Sequence, residues 1–555
     1  MSIARPSHTL PATDIAAAID KETHKHLTKY ASLKLLPPRH HLEARRAFLR
    51  SSMFIKKKSS GLVTARLAID GSRQPPDSYT DTFAGTSDIT DRSFIIAVTL
   101  ADAAHRHHLP NLIIGSYDIT AAFLQSSLPR SHSGGYQLLT ILPKDLPDPA
   151  LAGKTAEIVG ACYGLKQANH VFDSEITALH INAGYLPTPS DHHTFRKVCP
   201  LDPANSLTIN LHVDDGFYLS TSPTLLAEYK TLLTDRYGPI QFNDNCTSIC
   251  GINVTRHTDH SITLDYGSHL STFLTKNGMD PLPPALSPSL PTFFHTPHNP
   301  APVDVTAYQR INGSLLFYAP LRSDCRKEIV HLCTKNNAPT VSDQGHQIQL
   351  LRYLKGHPLL GPTFTAIHSN HPSGVIIHTS ADVSHACHPD GSSHAAYTIS
   401  VGTNTAPFLA YSAKEKGISL NPCGTEYKTL TKCAKDVIYF RQFAADLGHP
   451  QLSPTIILED NKSAIKLTTA PAVTRKSRHI FIKHHYIRWL HQTHHIQLLH
   501  QGTHDIVPDG LTKYTPPSAF PFFRARILNL YHPSDPSANP ANTTSSTPAN
   551  PDPAS

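Results

Sequence analysis

Cysteine chemistry contributes little to this sequence. The nine cysteines of the 555-residue chain include no C-x-x-C pair and no even framework, so we expect reduced thiols in an intracellular protein. The 38 histidines are scattered, and no Cys/His cluster has the spacing of a zinc site. The composition therefore argues against a fold stapled by disulfides or zinc.

Long hydrophobic runs are also missing. No apolar stretch has the length of a transmembrane helix, and the first thirty residues lack the basic segment and apolar core of a secretory signal. Hydrophobic residues make up 39% of the chain and charged residues 16%, which fits a folded soluble protein. A chain of this length predicts about three or four domains.

The excess of positive charge is small, because 49 Lys and Arg face 42 Asp and Glu, for a net charge of +7. Basic residues nevertheless crowd one N-terminal stretch, where only Glu43 and Asp70 oppose them. Such a patch is typical of a partner with a phosphate backbone, although a solvated basic helix and loop has the same composition. Its members are Arg45, Arg46, Arg50, Lys56, Lys57, Lys58, Arg66 and Arg73.

Local patterns predict the chain's organisation. The stretch from about Thr13 to Leu49 is amphipathic and predicts helix, and Lys56 to Gln74 alternates basic and apolar residues as paired strands do. The proline-rich stretch from about Pro281 to Pro302 cannot form a helix or a central strand and is the best linker candidate. After about Leu530 almost no apolar residue remains to be buried, which predicts disorder.

The segment "SLTINLHVDDGFYLS" carries two adjacent carboxylates. Residues 207–213 alternate apolar and polar side chains, which predicts a half-buried strand, and Asp215-Gly216 predicts the turn into a second strand. Asp214 and Asp215 would then lie together at the tip of a hairpin. Like charges so close repel unless a cation neutralises them, and Mg²⁺ prefers such oxygen ligands. A D-D-G turn without a metal is nevertheless common.

A third carboxylate strengthens this hypothesis. "LIIGSYDITAAFLQ" is an apolar run that ends at Asp118, where a carboxylate at a strand end is well placed for a further metal ligand. Two-metal phosphoryl transfer needs such a set, with one ion at the attacking 3′-hydroxyl and the other at the triphosphate.

An ordered set of motifs over about Thr13 to Gly361 resembles the reverse transcriptase of copia-type LTR retrotransposons. "HVDDGFYLS" resembles the YVDD box, with His212 in place of Tyr, and Asp70 stands where the family usually has Lys. The remaining matching segments, in chain order, are "ARLAIDGSRQPPDSYTDTFAGTSD", "YDITAAFLQ", "ACYGLKQANHVFDSEITALHINAGYLPTPSDHHTF", "YQRINGSLLFYAPLRSD" and "LLRYLKGHPLLG".

The resemblance implies roles for these residues. Asp118, Asp214 and Asp215 would bind the metal ions. Phe123 would press on the sugar C2′ and exclude a ribose hydroxyl, although a core Phe on a helix is the commoner explanation of such a residue. The residues implied to lie near the incoming nucleotide or its phosphates are Lys58, Arg66, Arg73, Lys166 and Gln167.

The C-terminal region carries a second series of acids. One predicted strand ends near Asp382 and an apolar strand ends at Asp460, while Glu426 lies in the first turn of a predicted helix and Asp509 lies at the start of another. Each alone could be a helix cap or a first-turn charge. Four in series at the ends of elements are harder to explain in that way.

The series resembles the copia ribonuclease H domain over about Gly374 to Arg526, with "TSADV", "NPCGTEY", "EDNKSAI", "RKSRHIFIKHHYIRWL" and "PDGLTK" as the matching segments. The resemblance implies that Asp382, Glu426, Asp460 and Asp509 bind two Mg²⁺ ions that activate water against an RNA phosphodiester. It also implies that a set of basic residues contacts the backbone of the RNA–DNA hybrid. The alternative interpretation of these residues is a basic surface exposed to solvent. The residues concerned are Arg475, Lys476, Arg478, His479 and Lys483.

The sequence therefore predicts an α+β polymerase right hand (fingers, palm, thumb) followed by an α/β ribonuclease H-like domain. We expect a reverse transcriptase at 1–280, a proline-rich linker and connection region at 281–370, a ribonuclease H-like domain at 371–530 and a disordered tail at 531–555. The implied partners are an RNA template, a DNA primer, the RNA–DNA hybrid, dNTPs and other retrotransposon polyprotein products, with no membrane. Mg²⁺, or Mn²⁺, is the implied cofactor, with two ions at each site.

Two alternatives remain. A decayed or domesticated remnant would bind nucleic acid without catalysis, but seven specific carboxylates would not all survive neutral drift. A plain nucleic-acid-binding structural protein would have no reason to place acids at strand tips. The sequence contains no match to the protease motif, zinc knuckle or integrase head of copia polyproteins. The resemblance implies that the protein is located in the cytoplasm, in a virus-like particle, or in the nucleus.

Overall fold

The computed structural model describes residues 10–37, 45–58, 61–366, 374–418, 422–469 and 481–530. Its contacts divide the chain into two compact units. The first comprises residues 1–87, 114–188 and 192–244, and the second comprises 88–113, 189–191 and 245–555. Each unit is therefore built from segments that are not contiguous in sequence, and the four-part division expected from the sequence stays a prediction.

The helices of the described residues are, in chain order, α1 Ala12–His24, α2 Ile89–His105, α3 Ala168–Asn182, α4 Pro223–Tyr237, α5 Gly267–Lys276, α6 Val305–Tyr318, α7 Arg326–Cys333, α8 Val341–Gly356, α9 Pro422–Asp446, α10 Lys462–Thr469, α11 Phe481–Gln492 and α12 Phe520–Leu528. Among these helices, none is both long and apolar enough to cross a bilayer.

The strands of the first unit are β1 Leu33–Leu35, β2 Arg46–Lys57, β3 Val63–Ile69, β4 Ile113–Asp118, β5 Gln137–Ile141, β6 Thr155–Ile158, β7 Leu186–Pro187, β8 Thr194–Val198, β9 Ser206–His212, β10 Asp215–Ser220 and β11 Gln241–Asn243. They form two sheets. The order is β1-β6-β5-β2-β3 in the five-stranded sheet and β11-β4-β10-β9-β8-β7 in the six-stranded sheet.

The strands of the second unit are β12 Ser248–Ile249, β13 Ile252–Arg256, β14 Ile262–Asp265, β15 Thr363–Phe364, β16 Ile377–Ser384, β17 His394–Val401, β18 Leu409–Lys414, β19 Thr455–Glu459 and β20 Ile496–His500. A four-stranded sheet has the order β12-β13-β14-β15, and a five-stranded sheet has the order β18-β17-β16-β19-β20. In the latter sheet β16, β19 and β20 run parallel.

The expected helix over Thr13 to Leu49 is wrong in its second half. The helix α1 and a π-helical turn at Lys25–Lys29 end before β1, and β2 begins at Arg46. In β2 buried and more exposed residues alternate around Ala47, Leu49 and Met53. This period of two lets one face of β2 join the core, which a helix with the same residues could not do.

The strand prediction around Leu207 is correct, but its exposed face is wrong. Thr208 and Asn210 of β9 are buried, as Leu207 is. The Asn210 side chain donates a 2.9 Å hydrogen bond to the hydroxyl of Thr194 on β8. Residues 207–211 of β9 are all buried, so both of its faces are covered, and Asn210 bonds to a neighbouring strand instead of water.

The proline-rich stretch around residues 281–302 contains no helix or strand, as predicted. It is packed against α8 through several polar contacts. Gln349 donates to the Ser287 carbonyl, Arg352 donates to the Pro283 carbonyl, and the amide of Ala285 donates to the Arg352 carbonyl. The stretch is therefore an ordered strap on a helix of the second unit.

An aromatic cluster joins distant parts of the second unit. Phe94 on α2 is fully buried. Its ring centroid lies 4.9 Å from that of Phe408, 4.8 Å from that of Phe440 and 5.2 Å from that of Phe443. Helix α2 is thus part of the core of the unit that ends near the C-terminus. The predicted disordered tail at 531–555 lies outside the described residues.

Candidate active sites

The adjacent carboxylates lie at the tip of the β9–β10 hairpin, as predicted. The turn itself is Val213-Asp214, because Asp215 already pairs with His212 at the start of β10. The expected turn at Asp215-Gly216 is therefore wrong by two residues. Val213 has a φ of 60°, a left-handed conformation that is strained for a β-branched residue. This strained turn carries Asp214 between the two strands of the hairpin.

Asp118 approaches Asp214 across the sheet. It ends β4, which is the neighbour of β10, and the next amide, that of Ile119, donates a 3.0 Å hydrogen bond to the Asp214 carbonyl. Partial desolvation raises the pKa of the Asp118 carboxyl, the nearby Asp214 carboxylate raises it further, and Lys58 opposes both. Two of the three predicted acids therefore interact, with a predicted nucleotide contact beside them.

Glycines permit this close approach of β4 and β10. A Cβ on Gly216 would lie 2.0 Å from the Tyr117 ring, and a Cβ on Gly115 would lie 2.2 Å from the Tyr218 ring. Any larger side chain at either position would push the strands apart. The D-D-G sequence thus has its glycine for packing against Tyr117 and not for the turn.

A series of buried hydrogen bonds connects β4 to helices α4 and α3. The hydroxyls of Tyr117 and Tyr229 lie 2.5 Å apart, and the Tyr229 hydroxyl lies 3.0 Å from Nε2 of His180. Nδ1 of His180 lies 2.7 Å from the Ile176 carbonyl. Since that carbonyl only accepts, Nδ1 carries the proton and Nε2 accepts from Tyr229. Burial lowers the pKa of His180 to about 4, which agrees with a neutral ring.

Phe123 stands between two further rings. It lies in a 3₁₀ turn at Ala122–Gln125, and its ring meets those of Tyr163 and Phe172 edge-on at centroid distances of 5.7 and 5.9 Å. The Arg66 guanidinium lies 4.2 Å from the centre of the Tyr163 ring. Two predicted nucleotide contacts, Arg66 and Phe123, are therefore linked through Tyr163, which sequence reasoning had not singled out.

The other predicted nucleotide contacts have different environments. Lys166 donates a 3.2 Å hydrogen bond to the Tyr79 hydroxyl, while Lys58 and Arg73 are exposed. Gln167 is buried and accepts a 2.8 Å hydrogen bond from Gln74. Gln167 is therefore held inside the protein, and its contact with a nucleotide stays a prediction.

A second group of acids assembles in the five-stranded sheet of the second unit. Strands β16 and β19 are parallel, with Ser380 opposite Leu458. Asp382 lies two residues after Ser380, and Asp460 lies two residues after Leu458. This register therefore brings the two predicted ligands to the same end of the sheet. Burial raises the pKa of Asp382 to about 6, and Asp509 and Asp460 raise it too, against the Thr512 hydrogen bond and Lys513.

The tightest acid cluster in the described residues is Glu426, Glu459 and Asp460, whose ligand oxygens all lie within 4.8 Å of one another. Glu426 and Glu459 are buried, and each has one carboxylate oxygen with no hydrogen-bond partner. Burial first, and then the neighbouring carboxylates, raise the pKa of both glutamates. Buried oxygens without partners at such a spacing fit a divalent cation.

Asp509 lies in a 3₁₀ turn at Val507–Leu511. Its carboxylate pairs with Lys513, and Thr512, directly after the turn, donates a 2.5 Å hydrogen bond to Asp382. Asp460 accepts a 2.7 Å hydrogen bond from Thr503. The four predicted acids of this region therefore belong to one connected set, at the edge of which Asp509 is neutralised by lysine.

The predicted contacts with a hybrid backbone stay predictions. Arg475, Lys476, Arg478 and His479 lie outside the described residues, and Lys483 lies in α11 at a position whose side chain is also outside them.

Residues 41–291 match the family described as reverse transcriptase (RNA-dependent DNA polymerase). The chain is 26% identical over 471 residues to the retrovirus-related Pol polyproteins from transposons RE1 and RE2 of Arabidopsis thaliana. It is 22% identical over 429 residues to that from transposon TNT 1-94 of Nicotiana tabacum.

These matches cover 83% of this chain for RE1 and RE2, and 74% for TNT 1-94. Over these residues the chain is similar to the reverse transcriptase region of copia-type Pol polyproteins. The chain spans 30% of the length of each of these relatives.

A solved structure shows a similar fold. A foamy viral protease-reverse transcriptase, solved in complex with double-stranded DNA, has a TM-score of 0.50 and 13% identity to the chain, over 90% of this chain and 72% of that one. The predicted α+β polymerase fold is therefore confirmed.

Sequence reasoning missed one acid of the second site. It assigned Asp460 as a ligand but not Glu459, which is fully buried and belongs to the same cluster. A Glu directly before the Asp at the end of an apolar strand was visible in "PTIILEDN". In a strand, however, neighbouring side chains point to opposite faces, so the pattern alone gave no reason to place both in one site.

Proposed function

We propose that the chain is an RNA-directed DNA polymerase with ribonuclease H activity from a copia-type retrotransposon. The observation that carries the polymerase half is the approach of Asp118 to Asp214, made by the β4–β10 pairing and sealed by the Ile119–Asp214 hydrogen bond. Two like charges held together by backbone bonds need a cation to neutralise them. The partners proposed are an RNA template, a DNA primer and dNTPs.

At the polymerase site Asp118, Asp214 and Asp215 would hold Mg²⁺. A pair of such ions lowers the barrier to attack of a 3′-hydroxyl on a triphosphate by stabilising the charge on both oxygens. Lys58 and Arg66 supply positive charge on the side where the phosphates of a dNTP would lie. Phe123, braced edge-on by Tyr163 and Phe172, presents a fixed ring to the sugar and so excludes a 2′-hydroxyl.

The nuclease half of the proposal is supported by the cluster of Glu426, Glu459 and Asp460 with Asp382 beside it. The residues present fit a divalent cation, because two buried carboxylate oxygens lack any other partner and carboxylates are the ligands that Mg²⁺ prefers. Such an ion would activate water against a phosphodiester. The substrate proposed is the RNA strand of an RNA–DNA hybrid.

Parallel assays on one preparation test both halves. Wild-type protein should extend a DNA primer on an RNA template with Mg²⁺ and should cleave the RNA of a hybrid. Asp460→Asn should stop cleavage while extension on a DNA template continues, because the polymerase acids and the nuclease acids fall in different compact units. Loss of both activities in a folded Asp460→Asn protein would refute the two-site proposal.

The competing function is a decayed remnant that binds nucleic acid without catalysis. It predicts primer–template binding with no extension and no cleavage under any divalent cation. The buried acids speak against it, because an unneutralised buried carboxylate destabilises the fold and would be lost without selection for metal binding.

A further inference from the structure

Lys327 is a buried lysine outside the predicted nuclease domain. It is the second residue of α7 and only 2% exposed. Its ammonium donates to the carbonyls of Gly510, at 3.2 Å, and Lys513, at 2.5 Å. These carbonyls belong to the segment around Asp509, which we call the acid turn and define as Val507–Lys513. A residue far upstream in sequence thus contacts the backbone of the turn with the fourth predicted metal ligand.

Other contacts fix the same turn. Ser412 on β18 donates a 3.0 Å hydrogen bond to the Leu511 carbonyl. Gly510 lies so close to α12 that a Cβ would be 2.3 Å from the Phe523 ring. The acid turn is thus anchored by its carbonyls, and Lys327 holds two of them. A short 3₁₀ turn has few hydrogen bonds of its own, so its shape depends on such outside donors.

Burying an ammonium is unfavourable unless its protons are all bonded. Lys327 meets that condition with two turn carbonyls and with Glu328, whose carboxylate lies 3.3 Å away and accepts from Ser289 of the proline-rich strap. An apolar side chain would fill the same space without that desolvation. The contacts with the two carbonyls and with Glu328 therefore account for a lysine at this position.

We propose that Lys327 is a positioning residue for the nuclease site, which holds the acid turn so that Asp509 stays with Asp382 and Asp460. The inference rests on the proposed ribonuclease H activity. It means that the metal site depends on a helix of the region predicted to be a connection. Because Lys327 acts through the backbone of the turn, its loss should weaken metal binding while the acids themselves remain.

The chain offers a matched control. Lys355 on α8 also donates its ammonium to backbone carbonyls, those of Met279, Asp280 and Leu282. Lys355→Met therefore removes a similar lysine–carbonyl clamp from a turn that carries no predicted metal ligand. Comparison of Lys327→Met with Lys355→Met separates a general loss of stability from a specific effect on the acid turn.

The experiment measures hybrid cleavage against Mg²⁺ concentration in the full chain. Lys327→Met should raise the Mg²⁺ concentration for half-maximal cleavage about tenfold, the scale seen when a residue that orients metal ligands is lost. Lys327→Arg, which keeps a charged donor, should recover most of that loss. Lys355→Met should leave the value unchanged, and primer extension should be unchanged in all three. An unshifted Mg²⁺ dependence in folded Lys327→Met would overturn the inference.

Two further measurements keep the test independent of activity. The rise in melting temperature caused by Mn²⁺ should shrink in Lys327→Met and not in Lys355→Met, and amide exchange in the acid turn should speed up only in the former. If wild-type protein does not cleave hybrids, the proposed activity fails while these readouts still decide the role of Lys327. Should Lys327→Met not fold, Lys327→Gln takes its place, and a wild-type Mn²⁺ response from it would overturn the inference.

Discussion

Ile119 and Asp214 are joined by a 3.0 Å backbone hydrogen bond from the amide of the first to the carbonyl of the second. The bond is formed one residue after Asp118 and within the strained turn of the β9–β10 hairpin. It therefore fixes the spacing of the two backbone segments that carry the carboxylates of Asp118 and Asp214. A substitution of either carboxylate should leave this framework in place.

Asp214→Asn and Asp118→Asn should abolish nucleotide addition with little change in stability. Each removes one charged metal ligand, and the loss of a group that stabilises charge in the transition state slows a reaction about 100-fold or more. Primer extension and thermal unfolding of the purified variants measure the two effects. Asp235→Asn, which changes an exposed acid on α4, is the control, and near-normal extension by Asp214→Asn would end the polymerase assignment.

Phe123→Ala should admit ribonucleotides, because it removes the ring proposed to occupy the space of a 2′-hydroxyl. The ratio of dNTP to rNTP incorporation efficiency should fall about tenfold or more, as expected for a lost steric contact in a pocket. Phe242→Ala is matched, since Phe242 is also half-buried and its ring centroid lies 5.6 Å from that of Tyr117 in the same unit. An equal ratio in both variants would make Phe123 a packing residue.

Glu459→Gln should stabilise the protein when metal is removed with EDTA. Burial raises the pKa of Glu459 above its unfolded value, so this acid opposes folding increasingly as the pH rises from its unfolded pKa towards its folded one. The gain at neutral pH should be about 1–3 kcal/mol, and the stabilisation by added Mn²⁺ should shrink. Glu415→Gln should instead destabilise, because Glu415 is buried but paired with Lys432. Urea unfolding with and without Mn²⁺ measures both, and a destabilised Glu459→Gln protein in EDTA contradicts the metal role.

Acid should destabilise the protein through His180. Its folded pKa of about 4 lies below the ordinary value of an unfolded histidine, so below about pH 6.5 the unfolded chain takes up a proton that the folded chain refuses. Lowering the pH from about 6.5 to 4 should therefore remove on the order of 3 kcal/mol of folding free energy. His180→Gln should flatten that slope in urea unfolding, whereas His192→Gln, at an exposed position, should not. If the unfolding free energy of His180→Gln depends on pH as that of the wild type does, then another group causes the acid destabilisation.

Periodicity predicted the β9–β10 hairpin of the six-stranded sheet. The alternation at Leu207 to Val213 indicated the strand, and the adjacent aspartates indicated the hairpin tip. The turn was misplaced because Asp-Gly is a common turn pair, whereas in this protein Gly216 is needed for contact with Tyr117 and a strained Val213 makes the turn. Local propensity could not reveal that packing constraint, which arises only when β4 lies beside β10.

Contacts between residues far apart in the chain could not be predicted from local sequence patterns. The amphipathic pattern after Thr13 continued into β2 because helix and strand periods overlap in a short mixed stretch. Glu459 and Lys327 were missed since their roles depend on the register of β19 and on the packing of α7, which no local pattern encodes. Asp382, Glu426 and Asp460 were predicted as ligands because each was expected at the end of an element with a readable period. Asp382 in fact lies inside β16, two residues before its end.

Helix α2 has a consequence for the synthesis of the chain. Phe94 is synthesised early, but its partners Phe408, Phe440 and Phe443 follow roughly 310 to 350 residues later, about 15 to 70 seconds at ordinary elongation rates. During that interval the apolar residues of α2 lack the aromatic rings against which they pack in the folded protein. Nascent chains should therefore recruit holding chaperones until the C-terminal region emerges, and a chain terminated before Phe408 would leave this helix permanently exposed.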